Sequence, residues 1–171
     1  PLLILTPTLT SKPEDIEELL RKHQDRVLVV LPKWQTINLP GQSRKPGWVG
    51  PGFAVTPDGK LLPESAFGKV RVRAVDAKAQ TISAVIAGRA FTTYLPDNAQ
   101  VVDGDGIEPV ITGANGGAVL ARAKNRDIYI LADPDLINNL AFSSHDKARA
   151  AAMLIDAVGE DVDANALAFD L

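Results

Sequence analysis

The segment Asp127-Ile128-Tyr129-Ile130-Leu131-Ala132-Asp133-Pro134-Asp135-Leu136-Ile137-Asn138-Asn139 decides how the rest of the chain is read. A short apolar run stops abruptly at two aspartates, a proline and two asparagines. A helical pattern starts after Ser143 and Ser144. This predicts a buried strand emptying into a polar loop ahead of a helix. In open α/β sheets, ligands sit at the carboxyl ends of the strands. Asp133 to Asn139 is therefore the first candidate site.

The start of the chain follows the same logic. Leu2-Leu3-Ile4-Leu5 predicts a buried strand. Ser11-Lys12-Pro13-Glu14 has capping-box spacing, and Ile16, Leu19, Leu20 and His23 then share one helical face. His23 at the helix end suits a dipole partner better than a ligand. Val27 to Leu31 is continuously apolar and β-branched, as expected of a strand covered on both faces. Strand, helix, strand predicts a parallel crossover.

Residues 35–68 read as a long loop rich in proline and glycine, a length that is often functional. It follows Lys33-Trp34 and contains Trp48, so both tryptophans of the chain lie in or beside it. Either they pack the loop onto the sheet end, or Lys33, Trp34 and Trp48 line a binding surface. Beyond it, Lys69 to Asp76 alternates as a half-exposed strand. Ile82 to Tyr94 predicts a hairpin through Gly88-Arg89. Pro109 to Ala123 predicts a second through Gly113–Gly117. Asp103-Gly104-Asp105-Gly106 resembles the start of a calcium loop but lacks its later acidic ligand, so it reads as a turn. Ser143 and Asp146 again have capping-box spacing, Ala148 to Val158 a small-residue helix stopped by Gly159, and Asn165 to Leu171 a last strand.

Composition narrows the function classes. The chain has 171 residues, of which 46% are hydrophobic and 23% charged, which fits one globular domain. A net charge of −3 without basic clusters argues against nucleic acid as a partner. No apolar stretch approaches the ~18 residues of a membrane span. Cysteine is absent, which removes disulfides and cysteine nucleophiles. The two histidines, His23 and His145, fit no common zinc spacing. No serine-nucleophile, dinucleotide or phosphate-loop motif occurs. No catalytic residue, metal site or cofactor is assigned. Asp133, Asp135, Asn138 and Asn139 together offer oxygen ligands suited to a hard cation; equally, Asp-Pro-Asp makes a good turn.

The ordered set Leu31-Pro32-Lys33-Trp34, Gly47-Trp48-Val49, Asp127 to Asn139 and Ala168-Phe169-Asp170-Leu171 resembles a bacterial family of unknown function, similar to class I glutamine amidotransferases. That family is typically membrane-anchored and often encoded beside MoxR-type AAA+ ATPases. The resemblance implies a flavodoxin-like three-layer α/β sandwich, with a mostly parallel sheet and an antiparallel, hairpin-rich insertion. It implies membrane segments outside this chain, an extracytoplasmic position at the bacterial inner membrane, and a protein partner in the ATPase system. Amidotransferase chemistry does not carry over, because the cysteine nucleophile is missing.

The resulting expectation is a single domain, residues 1–171, excised from a longer membrane-associated protein. It binds a small molecule or a protein partner through Lys33, Trp34, Trp48, Asp133, Asp135, Asn138 and Asn139. The alternative is a metal-assisted hydrolase using Asp133 and Asp135, with His145 as base.

Overall fold

A computed structural model describes residues 2–23, 25–37, 50–78, 80–86, 88–113, 116–138, 141–159 and 167–170. In chain order the elements are β1 (Leu2–Leu5), α1 (Pro13–Lys22), β2 (Val27–Val30), β3 (Trp34–Ile37), β4 (Gly50–Ala54), α2 (Glu64–Phe67), β5 (Val70–Asp76), β6 (Thr81–Ile86), β7 (Arg89–Tyr94), β8 (Asn98–Gly104), β9 (Ile107–Thr112), β10 (Ala118–Ala123), β11 (Ile128–Leu131), α3 (His145–Val158) and β12 (Leu167–Asp170). Three 3-10 turns, Gly59–Leu61, Pro134–Leu136 and Ala141–Ser143, complete the set.

The flavodoxin-like three-layer sandwich is not what forms. The chain is mostly β, built on one mixed sheet in the order β12-β1-β2-β11-β10-β8-β5, with β9 also paired to β10. Only the β12, β1, β2 and β11 neighbours pair parallel; every other pairing in the sheet is antiparallel. The antiparallel strands are not an insertion beside a parallel sheet, because β10, β8 and β5 extend that sheet. The physical reason is the connection from β2 to β11. A doubly wound fold makes each parallel crossover with a helix. Here the chain between these adjacent strands runs through β3 to β10 instead. That leaves α1 and α3 as the only long helices among the described residues.

The two helices cover opposite faces of the parallel half. Side chains alternate faces along a strand. Leu2, Ile4, Leu28 and Val30 accordingly pack with Leu154, Ala157 and Val158 of α3. Leu3, Leu5, Val27 and Val29 pack with Ile16 and Leu20 of α1. Where the helices run out, other parts take over. Ile82 and Ile86 of the β6–β7 hairpin extend the α3 side. Leu61, Leu62 and Phe67 extend the α1 side.

The helix starts differ from the capping-box spacings. Lys12, not Ser11, occupies the cap position of α1 and makes no side-chain cap. The Ser11 hydroxyl instead accepts from the Thr8 amide at 2.9 Å. Ser144, not Ser143, caps α3 by accepting from the Lys147 amide at 3.3 Å. The presumed irregular stretch 35–68 carries regular structure where it is described: β3 and β4 pair antiparallel, and α2 follows. Asp103 and Asp105 behave as turn and strand residues. Asp103 receives Arg73 at 2.8 Å, and Asp105 accepts the Lys69 amide at 2.9 Å.

Strand β10 carries the feature that positions the site. Ala118 pairs with Thr112 of β9 and with Val102 of β8, so those strands lie on opposite sides of it. Leu120 pairs with Ile111 of β9 and Leu131 of β11 in the same way. One edge of β10 is therefore shared between β11 and β8. The changeover falls where β11 ends at Leu131, beside Asp133.

Candidate functional site

Two strand ends bring the charged groups together. The register Val30↔Leu131 aligns the carboxyl ends of β2 and β11. The chain then leaves β2 through Leu31-Pro32-Lys33 and leaves β11 through Ala132-Asp133. Asp133 starts the 3-10 turn Pro134–Leu136, its carboxylate accepting from the Asp135 amide at 3.0 Å. Proline suits that turn because its missing N–H would find no partner there.

Between the two ends lies a buried ion triad. The Lys33 ammonium donates to Asp133 Oδ2 at 2.9 Å and Oδ1 at 3.2 Å, and to Asp135 Oδ2 at 2.7 Å. The three side chains are 2%, 0% and 4% exposed, so water contributes almost nothing to them. Asp135 Oδ1 accepts the Trp34 indole N–H at 2.6 Å and the Asn138 amide at 2.7 Å. Asp133 Oδ2 also accepts the Gln100 backbone amide at 2.8 Å. All four carboxylate oxygens therefore carry a donor from the chain itself. Burial pushes the Asp133 carboxyl above the ordinary aspartate range, and the Lys33 ammonium opposes that rise.

Gln100 completes the network and was not visible as a site residue. Its side-chain amide donates to Ala132 O at 2.8 Å and to Pro32 O at 3.2 Å, tying both strand ends to β8. A polar residue inside the apolar run Ala99-Gln100-Val101-Val102 is the signal that could have found it, since a buried amide needs partners. The structure brings Lys33, Trp34, Asp133, Asp135 and Asn138 together. Trp48 and Asn139 lie outside the described residues.

Trp34 is where this network meets solvent. Its ring is held by the bond to Asp135, with the Lys33 ammonium 5.6 Å from the ring centroid, yet the residue is 42% exposed. It borders a cleft of about 340 Å³ walled by Ile4, Pro7, Val30, Pro134 and Ile137. This cleft lies at the carboxyl ends of β1, β2 and β11. A larger hollow of about 680 Å³ lies between the β6–β7 hairpin and α3, lined by Thr92, Tyr94, Arg149 and Met153 among others. None of the triad residues lines it, so size alone does not make it the better site.

No contact among the described residues joins His145 to Asp133 or Asp135. His145 lies in the exposed first turn of α3, facing Asp146 at 3.8 Å. A divalent ion at Asp133 and Asp135 would have to displace the Lys33 ammonium. No group of three or more metal-ligating side chains occurs among the described residues.

A second charged cluster lies at the opposite strand ends. Asp127 receives Arg26 at 2.6 Å and Arg122 at 3.3 Å, and both guanidiniums lie about 6 Å from the Tyr129 ring. Arg26 also donates to Val158 O at 3.0 Å, clamping the end of α3 to the sheet. This arrangement fastens elements together and borders none of the clefts described above.

No protein-family model and no curated protein matches this chain.

Proposed function

We propose that this chain is a non-catalytic binding domain, sensing or scaffolding, of a membrane-associated protein. It takes a ligand or partner group at the strand-end cleft. The observation that carries the reading is Trp34. A large ring is fixed by a partly buried hydrogen bond and still turned to solvent beside an apolar cleft. Rigid aromatic rings of this kind supply contact area at little entropic cost. The carboxylates are already committed to Lys33, Gln100, Trp34 and Asn138, which favours binding over turnover of an external substrate. The cleft volume suits a small molecule or one anchoring side chain of a partner.

Membrane association, an extracytoplasmic position and a MoxR-type ATPase partner rest on the sequence resemblance alone. No helix among the described residues is long and apolar enough to cross a membrane. Attachment would come through other segments.

A thermal-melt screen against nucleotides, sugars, amino acids and divalent metals tests the small-molecule form. A ligand at ~100 times its dissociation constant adds about 2.7 kcal/mol, or roughly 5–10 °C for a domain of this size. A pull-down from bacterial membranes tests the partner form. In either assay Trp34→Ala abolishes the signal. A ligand or partner held equally well by the variant would overturn the assignment of this cleft.

A further inference from the structure

We infer that Lys33 and Asp135 are placed to join in an intramolecular isopeptide bond, with Asp133 as the acid–base that moves the protons. Condensing an amine with a carboxyl needs a dry site, close approach and control of protons, and the triad offers all three. Its side chains are almost fully buried. The Lys33 nitrogen lies 2.7 Å from Asp135 Oδ2, so the amine is already in contact with the carboxyl group whose carbon it must approach to ~3–3.5 Å. Groups so held reach effective molarities on the order of 10⁵ M or more, which offsets the reluctance of an amide to form in water.

The two aspartates are not equivalent. Asp135 Oδ1 receives two donors, Trp34 Nε1 and Asn138 Nδ2, while among the described residues Oδ2 receives only Lys33. That is the polarisation an acyl electrophile needs, with one oxygen stabilised as it becomes an oxyanion and the other free to leave. Asp133 has its donors spread over both oxygens and contacts the same nitrogen. Its burial favours the protonated acid, so it can hold a proton in transit.

The step balances without an external reagent. The Lys33 ammonium gives one proton to Asp133, which passes it to Asp135 Oδ2. The neutral amine attacks Cγ of Asp135, forming the N–C bond and placing negative charge on Oδ1 beside Trp34 and Asn138. Asp133 takes a second proton from the nitrogen and delivers it to Oδ2. The C–Oδ2 bond breaks, water leaves, and Oδ1 returns to a carbonyl. One ammonium proton remains as the amide N–H, and nothing is oxidised or reduced. This chemistry uses the buried side of the cluster and is independent of binding at the outer face of Trp34.

Intact-mass spectrometry of the denatured full chain is the test. The expected mass is one water below that of the sequence, with a branched fragment joining Lys33 to Asp135. Lys33→Arg keeps the full mass. Asp135→Asn loses one ammonia instead of one water, which identifies the electrophile. Asp133→Asn, checked for folding by circular dichroism, keeps the full mass; crosslinking in that variant would overturn the role given to Asp133. Wild-type protein at full sequence mass, both fresh and after prolonged incubation, would overturn the proposal outright.

Discussion

Replacing Lys33 with methionine removes the cation of the triad while keeping an unbranched apolar stem. Asp133 and Asp135 are then buried with no counter-charge, at 0% and 4% side-chain exposure. Breaking a buried pair by removing one partner costs about 3–5 kcal/mol. Against a total stability of roughly 5–15 kcal/mol for a domain, that is a large share. For a chain of this length it lowers Tm by roughly 6–20 °C. The pH dependence gives a second, independent check. Burial already holds the Asp133 carboxyl above its ordinary value of 3.8, with Lys33 pulling the other way. Without Lys33 it rises further. A carboxyl raised in the folded state binds its proton more tightly there than in the unfolded chain. Its contribution is fully present below the unfolded value and is lost as pH rises through the folded one. Lys33→Met therefore loses more stability than wild type between mildly acidic and neutral pH. Urea melts across that range measure both effects. A neutral-pH difference under ~1 kcal/mol, or a variant that gains stability with rising pH, refutes the reasoning. These values hold for uncrosslinked wild type; where the isopeptide bond forms, the Lys33–Asp135 ion pair is consumed and a loop-closure contribution of about 4.7 kcal/mol for a loop of about 100 residues takes its place. That part does not vary with pH, and the mass of the same samples separates it.

Ser144→Ala removes the α3 cap and costs ~1 kcal/mol in a chemical melt, whereas Ser143→Ala leaves stability nearly unchanged. Gly68 has φ +66°, and an added Cβ would meet Asp105 and Gly106. Gly68→Ala therefore destabilises by more than the ~1–2 kcal/mol of left-handed strain alone. Gly88→Ala, at φ +77° with open space around it, costs only that strain, and paired thermal melts give the difference. Phe67 is fully buried beneath the sheet, so Phe67→Ala lowers stability by about 3–5 kcal/mol in urea.

Much of the strand pattern was legible because alternation and apolar runs are local signals. β1, β2, β5, the β6–β7 and β9–β10 hairpins and β11 fall where periodicity places them. Which strands share a sheet was not legible. The pattern of Val70 to Asp76 predicts a half-exposed strand but not that it extends the sheet containing β2. The flavodoxin-like expectation failed on that point, since a resemblance over short motifs carries no pairing information. At the site, Asp133 and Asp135 stood out as charges closing an apolar run. Their partner Lys33 is about 100 positions away, and nothing local marks it as buried. Lysine is almost never buried unless paired, and the pairing exists only in three dimensions. The capping serines were each displaced by one residue, within the ordinary uncertainty of helix ends.

The adjacency of β2 and β11 imposes an order of assembly. The hairpins from β6 to β10 close over a few residues each and can form early. β2 must wait for a strand about 100 residues downstream, and β1 cannot gain its outer neighbour until residues 167–170 exist. During synthesis the strands made first are therefore completed last. Pairings of such long range place a chain among slow folders, in milliseconds to seconds rather than microseconds. Meanwhile β1 and β2, paired with each other, keep their outer edges open to pairing with other chains. Until Lys33 finds Asp133, the edge of β2 that will meet β11 stays unpaired.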